Sequence, residues 1–221
     1  MEELVLLLEL AGTLAFSASG AMTGLRKHMD VFGVCILGIT TAVGGGVIRD
    51  LILGRTPPAT FQNPIYAAAA LAAALVLFFS RIRRWLTRDQ RRYDRVLFWM
   101  DAAGLGIFTV LGIQAAYEVL PQPGMFLLVF VGVVTGVGGG VLRDVLAGDT
   151  PYIFVRHVYA SASLAGAIVC SLLWAPLGEM PAMLTGTGLV MLIRCLSAHF
   201  RWNLPRSRDD AEPQADETPE P

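Results

Sequence analysis

Charged and strongly polar residues in this chain are bunched, and seven apolar stretches run between the bunches. They cover residues 4–25, 31–53, 63–80, 96–119, 125–147, 155–175 and 181–200. A helix that crosses a bilayer needs about 20 predominantly apolar residues, and the chain offers that length repeatedly. A soluble chain of this size could bury one core, but these runs are too long and too many for one. The pattern predicts an all-α membrane protein with seven transmembrane helices. Composition agrees: 54% of the 221 residues are hydrophobic and 16% charged, where a soluble domain is about a quarter charged. The first run lacks the basic segment that opens a signal peptide and is expected to be a retained span.

The charges between the runs predict an orientation. Residues 81–95, "RIRRWLTRDQRRYDR", hold seven arginines, and basic loops stay in the cytoplasm. Their place between two spans favours that reading over a nucleic-acid patch, so no nucleic-acid partner is expected. Arg26 and Lys27 fall on the same side, as do Arg201, Arg206 and Arg208. The opposite side carries Glu2, Glu3, Glu118 and Glu179, with Arg55 as its one clear basic residue. Seven spans, the N-terminus outside and the C-terminus inside, satisfy every loop. Residues 201–221 are polar and Pro-rich, cannot bury apolar area, and are expected to form a disordered cytoplasmic tail.

An internal duplication organises the spans. "TAVGGGVIRDLILGRTP" (41–57) aligns without gaps on "TGVGGGVLRDVLAGDTP" (135–151), offset by 94. Upstream, "ELAGTLAFSASG" (9–20) lies against "DAAGLGIFTVLG" (101–112), keeping acid, glycine, phenylalanine, hydroxyl and glycine in place. The division is therefore a first three-helix repeat (1–95, with the basic loop), a second (96–178), a seventh helix (179–200) and the tail (201–221). An odd number of spans per unit makes the second copy enter the membrane upside down. Inverted repeats of this kind are common in transporters, with the pathway at the repeat interface.

The duplicated segment suggests chemistry. Glycine in a helix costs about 1 kcal/mol against alanine, so Gly44, Gly45 and Gly46, and Gly138, Gly139 and Gly140, are expected to kink or unwind spans two and five. Carbonyls freed around Thr41, Gly44, Thr135 and Gly138 would then suit a cation. The competing expectation is that the glycines only let helices pack closely. Arg49-Asp50 and Arg143-Asp144 project about 100° apart on a helix, so neither pair is expected simply to neutralise itself. They are candidates for gating, for pairing across the repeat, or for snorkelling to headgroups. Glu9 and Asp101 are equivalent intramembrane acids. Arg194, late in the last span, is expected to snorkel, and Trp85, Trp99, Trp174 and Trp202 fit an interfacial belt.

Other chemistries find little support. "GVGGGVLRD" lacks the Lys-Ser/Thr of a P-loop and the spacing of GxGxxG. Cys35, Cys170 and Cys195 lie in apolar runs with no metal-ligand spacing. His28, His157 and His199 are scattered near span ends. No enzyme activity and no cofactor is expected.

The two GGGxxRD segments in a chain of seven spans resemble the prokaryotic TRIC family of trimeric intracellular cation channels, which also carries the label of a putative glycine transporter domain. The resemblance covers about residues 4–200. It implies two inverted three-helix repeats plus a seventh helix, and a symmetric homotrimer in membrane lipid with one hydrophilic pore per subunit. It also implies kinks at both glycine triplets, with Arg49, Asp50, Arg143 and Asp144 as the charged residues that follow. The expected function is a passive channel for monovalent cations, potassium and also sodium, in a bacterial inner membrane. Thr41 and Thr135 hydroxyls would replace part of the ion's hydration. The alternative is a secondary transporter of a small zwitterion such as glycine, and a third reading is a non-conducting scaffold.

Overall fold

The computed structural model describes residues 2–79, 82–83, 88–155, 158–200 and 202. The tail from 203, Trp85, His157 and part of the basic loop lie outside the described residues, as does Arg201. Every long element is helical: α1 (Glu2–Arg26), α2 (Val31–Ile52), α3 (Ile65–Phe79), α4 (Gln90–Val119), α5 (Met125–Leu146), α6 (Ala160–Leu177) and α7 (Glu179–Phe200). One-turn helices at Ala59–Gln62 and Tyr152–Val155 follow α2 and α5. Six of the long helices have the length and hydropathy to cross a membrane, and α3 is a shorter apolar helix of 15 residues. Large apolar side chains such as Leu7, Phe32, Phe126, Leu172 and Leu192 point outward, as a lipid-facing surface requires.

Local sequence explains the helix ends. Asp30 caps α2 by accepting from the Gly33 N–H at 2.8 Å, and Asp89 caps α4 by accepting from the Arg91 N–H at 3.0 Å. That second cap starts α4 six residues before the apolar run, at Gln90, so "QRRYDR" is helical. The duplicated "GRTP" and "GDTP" stop α2 and α5. Gly54 and Gly148 both take φ 71°, a left-handed conformation that glycine adopts without penalty. The Arg55 and Asp149 N–H groups then return to the Asp50 and Asp144 carbonyls, at 2.8 and 2.9 Å. This is the Schellman ending, repeated in both copies.

The repeats meet along α2 and α5, and their contacts are reciprocal. A Cβ on Gly45 would collide with the Thr135 carbonyl oxygen, and one on Gly139 with the Thr41 carbonyl oxygen. Reciprocal pairing of equivalent residues is the mark of a two-fold relation. Equivalent Phe16 and Phe108 stack near the axis, ring centroids 5.2 Å apart. Gly12 and Gly104 make room for those rings: a Cβ on Gly104 would overlap Phe16, and one on Gly12 would come within 3.2 Å of Phe108. Two ion pairs tie the repeats together at opposite faces. Arg55 meets Glu118 at 3.2 Å at the face where the chain starts, and Lys27 meets Asp149 at the other.

The triplets do not unwind their helices. Both α2 and α5 run unbroken through them, so the expected unwinding at Gly44–Gly46 and Gly138–Gly140 does not occur. Three glycines cost roughly 3 kcal/mol of helix propensity. Opening the ladder inside the bilayer costs several kcal/mol for each backbone group left unpaired. Staying helical is cheaper, and the missing side chains are used for backbone-to-backbone approach instead.

Candidate functional site

Four residues from each repeat assemble into one of two equivalent polar clusters, one in each half of the helical bundle. In the second repeat the cluster is Asp101 on α4, Arg143 and Asp144 on α5, and Tyr159 just before α6. Arg143 donates from Nε to Asp144 Oδ1 at 2.8 Å, and from Nη1 to Asp101 Oδ1 at 2.6 Å and to Ser19 Oγ at 2.5 Å. Tyr159 donates to Asp101 Oδ1 at 3.4 Å. Arg194 of α7 brings Nη2 within 3.9 Å of Asp101 Oδ2 and lies over the Tyr159 ring, 4.9 Å from its centroid. The Arg143 and Asp101 side chains are each 1% exposed. Arg194 is thus a buried partner of Asp101 and does not snorkel.

In the first repeat the same positions are Glu9 on α1, Arg49 and Asp50 on α2, and Tyr66 on α3. Arg49 Nε donates to Asp50 Oδ1 at 2.8 Å. Here the acid takes the tyrosine: the Tyr66 hydroxyl donates to Glu9 Oε2. Glu9 and Arg49 both line a cavity of about 50 Å³, together with Thr13, Gly46, Phe108 and Leu111. Glu9 and Tyr66 also line a second cavity of about 700 Å³, together with Glu3, Gln114, Glu118 and Glu179. The first-repeat end is thus a wide acidic mouth. At the second-repeat end a cavity of about 40 Å³ lies between Arg26, Asp94, Phe98, Asp101, Tyr152 and Arg194.

Each Arg-Asp pair does close on itself, contrary to the expectation from helical angles. The arginine side chain is long enough to bend around the helix, so Nε reaches the neighbouring carboxylate. The other oxygen of each aspartate anchors the turn beyond. Asp50 Oδ2 accepts from the Ala59 N–H at 2.8 Å and Asp144 Oδ2 from the Tyr152 N–H at 2.9 Å. These are the first N–H groups of the two one-turn helices.

The threonines occupy the seam between the repeats. Thr41 and Thr135 are buried, and each hydroxyl donates at 2.6 Å to the carbonyl four residues earlier, of Leu37 and Val131. Each packs onto a glycine of the preceding span, Gly20 or Gly112. Their own carbonyls abut Gly139 and Gly45. Both carbonyls lie within helices that run unbroken. Gly44 packs under Leu142, and a Cβ on Gly138 would stand 3.2 Å from the Gly45 Cα and 3.5 Å from Ile48. Among the described residues no His, Cys, Asp and Glu group has a metal-holding arrangement.

Tyr66 and Tyr159 do not stand out in the sequence, yet it carries a signal for them. "IYAAAALAA" (65–73) aligns on "VYASASLAG" (158–166), extending the duplication into the third spans. Ser19 and Arg194 have no equivalents that match, so nothing in the repeat marks them.

The family described as Glycine transporter matches residues 6–81 and again 98–175, one match per repeat. A membrane protein of Deinococcus radiodurans is 39% identical over 203 residues, 91% of each chain. The inner membrane protein YadS of Escherichia coli K12 is 34% identical, covering 91% of this chain and 94% of its own. Among solved structures, a TRIC cation channel superposes with a TM-score of 0.80 at 36% identity, over 93% of this chain and 98% of that one. The TRIC trimeric intracellular cation channel orthologue from Rhodobacter sphaeroides gives 0.81 at 36% identity, over 90% and 99%.

Proposed function

This chain belongs to the glycine transporter family whose solved relatives are TRIC channels, and from that premise we propose that it is a passive, potassium-permeable cation channel. The observation that carries the reading is the acidic mouth. Glu3, Glu9, Glu118 and Glu179 line a cavity of about 700 Å³, and Glu9 and Tyr66 also line the smaller cavity that holds Arg49. Carboxylates around a low-dielectric entrance raise the local concentration of cations and repel anions. The path leads toward the Asp101–Arg143–Arg194 cluster, which closes the opposite half. Conduction therefore needs that cluster to loosen, and the intact α2 and α5 act as levers around their glycine seam. Potassium and sodium would pass with most of their hydration water, concentrated by the acidic mouth.

The functional unit is a homotrimer in the inner membrane with one pore per subunit. The N-terminal face is periplasmic and the basic residues 81–95 are cytoplasmic. The acidic mouth then opens outward, and the Arg143 cluster is the cytoplasmic closure. A solved relative described as trimeric and a relative named as an inner membrane protein support this assignment.

The test is a planar-bilayer recording of the purified protein in a potassium chloride gradient. Unitary currents reversing near the potassium equilibrium potential are the expected result. A saturable glycine flux without unitary currents would replace the channel by a zwitterion transporter, and currents carried by chloride would sink the cation assignment.

A further inference from the structure

The two clusters carry the same residue types at equivalent positions but stand in different settings. At the closed end the acid holds the arginine: Asp101 Oδ1 is 2.6 Å from Arg143 Nη1, and Tyr159 is a distant partner at 3.4 Å. At the open end the acid holds the tyrosine. Glu9 accepts from Tyr66, and no ion pair joins Glu9 to Arg49 among the described residues. Arg49 has Asp50 as its carboxylate partner among those residues, through Nε, while Glu9 and Arg49 line the same narrow cavity. An Arg–carboxylate pair across that cavity would reproduce at the mouth what Arg143 and Asp101 do at the opposite end. Glutamate is one methylene longer than aspartate, which extends the reach of its carboxylate within the cavity that Arg49 also lines.

We propose that Tyr66 is the positioning residue that keeps the outer half of the pathway open, by holding the Glu9 carboxylate away from Arg49. The Glu9–Arg49 pair is then a second, outer gate, equivalent under the repeat symmetry to Asp101–Arg143. This rests on the channel reading. The two states compete for one carboxylate: a phenol hydrogen bond to a charged acceptor on one side, a charge-assisted guanidinium pair on the other. A hydrogen bond to a charged group changes such an equilibrium by on the order of ten- to a hundredfold. Deleting the phenol hydroxyl therefore moves the balance toward closure by that factor. Tyr66 is partly exposed at the cavity wall, and its ring stays in the Phe variant.

The experiment compares the full-length channel with Tyr66→Phe and with Tyr66→Phe/Glu9→Gln in planar bilayers. The expected result is a tenfold or greater fall in open probability for Tyr66→Phe and recovery in the double variant, because a neutral amide does not lock onto the guanidinium. An unchanged Tyr66→Phe overturns the proposal. So does a loss that Glu9→Gln fails to rescue, since a merely structural tyrosine gives that outcome. A second readout needs no current. A cysteine placed at Thr60, on the same cavity wall, in a chain with Cys35, Cys170 and Cys195 replaced by serine, should react with a small cationic thiosulfonate. The reaction should slow at least tenfold with Tyr66→Phe and recover with Glu9→Gln; equal rates in all three overturn the gate. Absence of potassium current in the unmodified protein would count against the channel reading alone, leaving the accessibility result to decide this one.

Discussion

Alanine at Gly139 is expected to disrupt the protein, whereas alanine at Gly46 is expected to be tolerated. Both substitutions remove a helix-weakening residue and gain about 1 kcal/mol of propensity. Their surroundings differ. A Cβ on Gly139 would overlap the Thr41 carbonyl oxygen and lie 3.2 Å from the Phe16 ring, while one on Gly46 meets nothing nearer than Arg49 Nη2 at 3.7 Å. A carbonyl oxygen in a helix cannot rotate away, so α2 and α5 must separate along their length. Overpacking of this kind costs about 1–3 kcal/mol or more, and here it also opens the seam at the two-fold axis. Gly45→Ala, facing the Thr135 carbonyl, should behave like Gly139→Ala. Size-exclusion profiles and melting temperatures of the detergent-solubilised protein check this. Lower yield and earlier melting are expected for the two seam variants, and none for Gly46→Ala; equal losses at all three would rule out the seam as the reason for the triplets.

Asp101→Asn is expected to destabilise the protein and at the same time raise its open probability. Asp101 lies between Arg143 and Arg194, whose side chains are 1% and 5% exposed. Asparagine keeps the shape but removes the charge. Two buried guanidinium groups are then left with Asp144 as the remaining close carboxylate among the described residues. Removing one member of a buried ion pair costs about 3–5 kcal/mol. Water entering to solvate the arginines is the least costly response, and it hydrates the closure that interrupts the pathway. Melting temperature and single-channel recording give the two readouts. Glu9→Gln is the comparison, and it should lower the melting temperature less, because Glu9 is partly exposed and its partner is a neutral tyrosine. A variant that melts as the native protein and opens no more often would exclude Asp101 from the barrier.

Some residues declare their role through their immediate neighbours in the chain. Asp30 and Asp89, as caps, and Gly54 and Gly148, as left-handed stops, act within a few residues of themselves. The duplication pairs Glu9 with Asp101 and Arg49 with Arg143, since equivalent positions in a two-fold fold meet equivalent surroundings. Other residues owe their role to a partner distant in sequence, and there the sequence misleads. Gly45 and Gly46 look alike along the chain, and only the crossing of α5 distinguishes them. Arg194 reads as a snorkelling residue until α7 places it against Asp101. Tyr66 and Tyr159 escape notice because a single tyrosine at a span end suits an interfacial belt.

Sequence alone determined the class of the molecule: seven apolar runs, an inverted duplication, and equivalent charged residues in the two repeats. Those follow from hydrophobicity and chain direction, which are local and additive. Tertiary structure decided the state of each cluster and the use of the glycines. Whether a helix unwinds or packs, and whether an acid takes an arginine or a tyrosine, are competitions of a few kcal/mol between neighbours that only the folded arrangement of α1 to α7 brings together.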